Sequence, residues 1–202
     1  MGLDDELTAH IEALTGTVAA SSVTIEDVVE GLARSFLNGG KLLVCGNGGS
    51  AADAQHIAAE FMNRLRVDRD PLPAVALTTD TSVLTCVAND ACYDDVFSRQ
   101  VEALGHSADV LFALSTSGGS ANVIAALAAG RVCGMFTVGF TGESGARRLA
   151  QLCDAVVAVP SEDCARIQEC HEFVCHVIAG MVEKRLFPDA PPAGSGRDCG
   201  RA

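Results

Sequence analysis

Apolar positions in this chain follow two different periods. Residues Leu3–Ala20 and Ser22–Leu37 carry them at helical spacing, with Ser22 or Thr24 placed to cap the second segment, so two leading helices are predicted. Asn38-Gly39-Gly40 then stops the helix. Short unbroken apolar runs follow at Leu42–Cys45, Ala74–Leu77, Val110–Leu114, Met135–Val138 and Ala155–Val159. A run without polar alternation suits a parallel strand buried on both faces. Helix-like stretches separate the runs at Ser50–Leu65, Thr81–Ala88, Asp94–Leu104, Ala121–Arg131 and Ala146–Leu152, and a long helix runs from about Asp163 to Leu186. Strands alternating with helices in this way form βαβ units. The fold class is therefore α/β, a doubly wound five-stranded parallel sheet flanked by helices in the flavodoxin-like manner. One domain is expected over residues 1–187. The stretch 188–202 is rich in Pro and Gly, lacks periodicity and reads as a disordered tail.

Composition narrows the class further. Of the 202 residues, 49% are apolar and 20% charged, which excludes general disorder and allows one substantial core. With no Trp and one Tyr, that core must be mostly Ala, Val, Leu and Ile. The formal net charge is −12 and the only lysines are Lys41 and Lys184, so neither nucleic acid nor an anionic membrane surface is an expected partner. No apolar run approaches the ~18 residues of a membrane span. The acidic start Met1–Glu6 has no signal-peptide character, and Glu6 stands where a myristoylation signal wants Ser or Thr. The nine cysteines are odd in number and form no C-x-x-C pair, and Cys45, Cys86, Cys133 and Cys175 fall in apolar stretches. Reduced, buried thiols in the cytoplasm are the expected state.

Doubly wound sheets bind ligands beyond the carboxyl ends of their strands, near the switch in strand order. The loop after the first strand reads Gly46-Asn47-Gly48-Gly49-Ser50, and Ser50 with Asp53 resembles a capping box. The loop after the third strand reads Ser115-Thr116-Ser117-Gly118-Gly119-Ser120. Glycines let backbone N–H groups approach a ligand, a helix N-terminus attracts anions, and the hydroxyls donate to phosphate oxygens. Either loop alone is an ordinary βα turn as readily as a ligand site; two of them directly after buried strands point to a phosphorylated ligand. Gly46-x-Gly48-x-x-Ala51 also fits the dinucleotide fingerprint, but the acidic residue that fingerprint needs ~20 residues on is not at the end of the second strand, which closes near Asp80.

Candidate chemistry lies on two helices. His56 and Glu60, at i and i+4, share a helix face with Cβ atoms ~6 Å apart, which suits two ligands of one metal or a base beside its partner. The last helix carries Gln168, Glu169, His171, Glu172 and His176. Gln168 and His176 lie ~12 Å apart along a regular helix, so either Gln168 sits at an irregular helix start or the two serve sites in different subunits. Glu172 at i−4 offers a plain ion-pair explanation for His176. The group Cys164, Cys170, His171, Cys175 and His176 matches no standard structural-zinc spacing. Asn89-Asp90 is placed to reach sugar hydroxyls but is equally an ordinary loop signal.

Taken in order, Cys45–Ser50 with Asp53 and His56, Asn89-Asp90, Phe97–Ala103, Ser115–Gly118, and Ala165–Glu169 followed by His176 resemble the phosphoheptose isomerase family of the sugar isomerase (SIS) domain superfamily. The likeness runs from about Leu42 to Glu183. It implies a homotetramer with sites between subunits that converts sedoheptulose 7-phosphate to D-glycero-D-manno-heptose 7-phosphate for heptose-nucleotide biosynthesis. It also implies one Zn2+ per subunit on His56, Glu60, Gln168 and His176, with Glu60 and His176 as the catalytic acid and base. The implied substrate contacts are Asn47, Gly48, Gly49, Ser50, Glu60, Asn89, Asp90, Ser115, Thr116, Ser117, Ser120 and Gln168. Two positions depart from the family pattern: Gly119 stands where Asn is common, and Ala165 where some members have an acidic residue. A different class of SIS relative, the non-catalytic factor that binds a replication initiator, is the alternative.

Overall fold

The computed structural model describes residues 2–195. Five parallel strands, β1 (Leu42–Gly46), β2 (Ala74–Ala76), β3 (Val110–Leu114), β4 (Phe136–Gly142) and β5 (Ala155–Val159), form one sheet in the order β2-β1-β3-β4-β5. The helices are α1 (Leu3–Leu37), α2 (Gly49–Met62), α3 (Thr81–Asp90), α4 (Ser98–Leu104), α5 (Ala121–Val132), α6 (Glu143–Leu149) and α7 (Cys164–Leu186), with a 3-10 turn at Tyr93–Asp95. Alternate strand residues face opposite layers. Leu42, Val44, Phe112 and Phe140 pack with Val28, Leu32, Phe61 and Ile178 of α1, α2 and α7. Leu43, Cys45, Leu111 and Ala113 pack with Val101, Val123 and Leu127 of α4 and α5 on the other face. The strand order reverses between β1 and β3, so the two loops singled out above flank the crevice at that point.

Several predicted elements are corrected. The two leading helices are one helix of 35 residues. Its expected break does not form because Ser21 is buried and the Thr17 hydroxyl donates back to the Ala13 carbonyl at 2.7 Å, inside the helix. β4 runs to Gly142, four residues beyond its predicted end, with Leu114 opposite Phe140 and Val159 opposite Gly142. Its glycines conceal it; Gly139 is needed because Leu149 and Cys153 crowd against its Cα. α6 begins at Glu143 and ends at Leu149, earlier than predicted, and α2 ends at Met62. The predicted helix Asp94–Leu104 divides into the 3-10 turn and α4.

Of the expected tail, Pro192 pairs with Val67 in an antiparallel bridge, and Asp68 N–H donates to the Pro191 carbonyl at 2.8 Å. Residues 196–202 lie outside the described residues. The described cysteines are free thiols. Burial pushes the Cys45 thiol up to about 12, and Cys170 and Cys175 are likewise buried. Cys86, expected to be buried, lies on the exposed side of α3, and Cys133 is half-buried. Among the described residues no helix is long and apolar enough to cross a membrane.

Candidate active site

β1 ends in Gly46, and Gly48 takes a left-handed φ of +57° that turns the chain into α2 at Gly49. Ser50 is already inside the helix and buried, so the expected capping box with Asp53 does not form. One Asp53 carboxylate oxygen is buried without a hydrogen-bond partner among the described residues. Burial, with Glu172 nearby and against the pull of His56, raises the Asp53 carboxyl to about 6.

The second loop is built on the extension of β4. Ser115 N–H donates to the Phe140 carbonyl at 2.9 Å, and Gly142 N–H to the Thr116 carbonyl at 2.8 Å. Gly118 has φ +60°, Ser120 precedes α5, and the hydroxyls of Ser115 and Ser120 share a hydrogen bond of 3.0 Å. Among the described residues no side chain caps α5, so the first N–H groups of the helix stay available. Between the loops lies a cleft of about 300 Å3 lined by Asn47, Gly48, Gly49, Ser50, Leu114, Ser115, Thr116, Ser120, Cys164 and Gln168. Asp163 caps α7 by accepting from Ala165 N–H, which delivers Cys164 and Gln168 to this cleft. Gln168 packs directly on the Cα of Gly49.

Two turns along α2, a second group converges. Nε2 of His56 is 2.8 Å from Nε2 of His176 and 3.5 Å from the Glu60 carboxylate, and Glu172 approaches the same nitrogen at 3.7 Å. One ligand atom from each of His56, Glu60 and His176 can lie within 4.8 Å of the others, a donor set of two imidazoles and a carboxylate that suits zinc. The i,i+4 partner Glu172 thus turns toward His56, while His176 meets His56 itself.

Most of the predicted residues are brought together. Asn47, Gly48, Gly49, Ser50, Ser115, Thr116, Ser120 and Gln168 line the cleft, and His56, Glu60 and His176 form the neighbouring cluster. Ser117 is exposed on the loop, where its Oγ accepts from Gly119 N–H. Asn89 and Asp90 do not face a following loop: they end α3, exposed and hydrogen-bonded to each other. α7 is helical throughout from Cys164, so an irregular start does not bring Gln168 to the cluster in this chain.

Sequence reading missed the residues that fix these groups. Asn47 and Asn122 exchange amide hydrogen bonds of 2.8 and 2.9 Å, tying the first loop to α5, and the Tyr93 hydroxyl donates to the same Asn47 oxygen at 3.1 Å. Arg69 and Glu183 form a fully buried pair at 2.9 Å. Arg69 also donates to the carbonyls of Glu60 and Phe61, while Glu183 accepts from Leu65 and Arg66 N–H. The last turn of α2, with Glu60 in it, is therefore held from below. His171 is buried, with Nε2–H donating to the Thr141 carbonyl at 3.3 Å and Nδ1 without a partner among the described residues. Burial pushes its pKa down to about 4 against that hydrogen bond, so the ring is neutral. Of these, His171 alone stood among the candidate residues of the last helix in the sequence.

A family model of the SIS domain matches residues 7–142. The phosphoheptose isomerase of Roseiflexus sp. (strain RS-1) is 53% identical over 185 residues, covering 92% of this chain and 93% of its own. That of Burkholderia pseudomallei (strain 1710b) is 51% identical over 164 residues, with coverage of 81% and 83%. The solved phosphoheptose isomerase GmhA from Neisseria gonorrhoeae superposes with a TM-score of 0.84 at 41% identity, covering 90% of this chain and 97% of that one. The corresponding structure from Francisella tularensis gives 0.81 at 32% identity, covering 91% and 100%. With its parallel sheet, its paired loops and its His–Glu–His cluster in place, this chain belongs to the phosphoheptose isomerase family of SIS-domain enzymes.

Proposed function

We propose that the enzyme converts sedoheptulose 7-phosphate to D-glycero-D-manno-heptose 7-phosphate, with the phosphate on the second loop and the reacting carbons at the His56–Glu60–His176 cluster. The observation that carries this reading is the placement of cleft and cluster on the same two helices. Gly49 and His56 are seven residues apart on α2, ~10.5 Å along its axis. An extended seven-carbon phosphate measures roughly 10 Å from C1 to phosphorus, given C–C bonds of about 1.5 Å. Ser115, Thr116, Ser117 and Ser120 with the first N–H groups of α5 bind the phosphate, helped by the helix dipole. Asn47, Gly48, Gly49 and Ser50 hold the sugar, with the Asn47 side chain spent largely on bracing the loops.

Ketose-to-aldose conversion removes a proton from C1 and returns one to C2, while O2 gains the proton that O1 loses, through a cis-enediol. Glu60 and His176 form the acid/base pair for these transfers. Zinc fits His56, Glu60 and His176, whose lone pairs face one another, with Gln168 as the remaining family ligand. When bound there it would supply Lewis-acid stabilisation of negative charge on the substrate oxygens. Because Gln168 and His176 lie a cleft's length apart on one straight helix, we read the enzyme as a homotetramer with sites shared between subunits. The exposed Leu3, Leu7, Ile11 and Val18 along α1 support that assembly. Asn89 and Asp90, which do not face the cleft of their own chain, contact substrate in such a shared site. We place the enzyme in the cytoplasm, a setting that the free thiols of the described cysteines support, and heptose-nucleotide biosynthesis is the pathway the product would feed. A partner-binding scaffold would need none of His56, Glu60 and His176 to converge.

Replacing Glu60 by Gln tests the assignment. Turnover of sedoheptulose 7-phosphate in a coupled assay is expected to fall by roughly 10²–10⁴ while the phosphorylated sugar still binds. Near-normal turnover by this variant would sink it.

A further inference from the structure

Among the described residues no cation lines the cleft, on a chain whose formal net charge is −12. A phosphate dianion entering it is met by hydroxyls and N–H groups but also by an unfavourable long-range field. One guanidinium stands at the back of the second loop. α6 is pressed onto that loop by a glycine-on-glycine contact: a Cβ on Gly118 would stand 2.6 Å from the Cα of Gly145, and one on Gly145 would stand 2.8 Å from the Gly118 nitrogen. Three residues further along the same helix face, Arg148 reaches over the loop. Its Nη1 donates to the Gly118 carbonyl at 3.4 Å.

The same nitrogen occupies the space beside Gly119. A Cβ there would come within 2.7 Å of Arg148 Nη1 and 3.5 Å of the Ser117 hydroxyl oxygen. Any side chain at position 119 would therefore displace the guanidinium from its place against the Gly118–Gly119 backbone of the loop. Among the described residues Arg148 makes this one hydrogen bond, leaving most of its five N–H donors uncommitted. Its side chain is exposed, so it is not a buried strut of the fold.

We propose that Arg148, seated on Gly119, is the cationic element of the phosphate site and sets the affinity of the Ser115–Ser120 loop for the phosphate dianion. The inference rests on reading that loop as the phosphate cradle. It adds to the hydroxyl and helix contributions a point charge that acts over several ångströms and is sensitive to salt.

The probes are inorganic phosphate, measured by calorimetry and as a competitive inhibitor, and sedoheptulose 7-phosphate, each at low and high KCl. For Arg148→Met, the phosphate Kd and Ki and the KM of the sugar phosphate are expected to rise about three- to tenfold, with a smaller change in kcat and a flatter salt dependence. Arg148→Lys should recover part of the loss. Arg147→Met, which removes the same charge from the neighbouring exposed position, should stay within twofold of wild type. Gly119→Ala should reproduce the Arg148→Met effect, and the double variant should be no worse than either single one. Equal effects of Arg147→Met and Arg148→Met, strictly additive effects of Gly119→Ala and Arg148→Met, or an unchanged phosphate Ki in Arg148→Met would each overturn the inference while leaving the loop as the cradle. Wild-type enzyme that neither binds phosphate nor turns over the sugar would overturn the cradle itself and the inference with it.

Discussion

Nε2 of His56 and Nε2 of His176 face each other at 2.8 Å, although 120 residues separate them in the chain. Two imidazole lone pairs brought this close need either a proton or a cation between them. On the proposed zinc site, His56→Ala and His176→Ala are each expected to lower zinc affinity by at least tenfold. Competition with a chromogenic chelator measures this, and unchanged metal content in both variants would count against the site.

The Arg69–Glu183 pair holds the end of α2 in the same way that β4 holds the second loop. Removing one partner leaves a buried charge unmet, which typically costs about 3–5 kcal/mol. Arg69→Ala should therefore unfold at markedly lower denaturant concentration, and so should Glu183→Ala. Replacing both by well-packed apolar residues should recover much of the loss, and a double-mutant cycle in chemical denaturation decides it.

His171 links stability to pH. Its folded pKa, about 4, lies below the ordinary 6.5, so the unfolded chain binds the extra proton between those values. Stability from this residue is complete above about pH 6.5 and falls as pH drops toward 4, by on the order of 3 kcal/mol. Asp53, whose carboxyl is raised to about 6, pulls the opposite way over part of that range. Comparison of wild type with His171→Gln isolates the histidine, and the variant should lose stability less steeply in acid. Identical acid slopes would refute the assignment.

Asn122 braces the first loop through its paired amide contacts with Asn47. Asn122→Ala leaves the Asn47 amide N–H group without its acceptor and the Asn47 oxygen with Tyr93 alone, a cost of about 1–3 kcal/mol that should fall on ligand binding, since the loop can open to water. The expected result is a roughly tenfold loss in kcat/KM with a small shift in Tm.

What could be read from the sequence follows from the range of the interactions involved. β1 and β3 were legible because burial on both faces demands unbroken apolar runs, and the edge strands β2 and β5 because they carry short runs of the same kind. The cleft was legible because its donors sit consecutively in two loops, and His56 with Glu60 because helix periodicity places them together. β4 past Val138 was hidden, since Gly139 and Gly142 are poor strand residues and the polar Thr141 interrupts the apolar run, although the neighbouring strands and helices enclose all three. The break placed at Ser21–Ser22 failed because Ser21 is buried against the rest of the fold, where tertiary packing carries the helix through a local capping signal. Asn122, Arg148 and the Arg69–Glu183 pair were illegible because each acquires its role only from a partner 30 or more residues away.

α7 carries Gln168 at the cleft, His171 beneath β4, His176 at the cluster and Glu183 against Arg69. These four attachments face three different neighbours, so their spacing acts as a ruler cut into one helix. A single inserted residue turns everything beyond it by 100° and advances it 1.5 Å. Placed between Gln168 and His171, it would detach three of the four at once. Length variation in descendants of this enzyme should accordingly be absent from the interior of α7, even where point substitutions on its outer face accumulate freely.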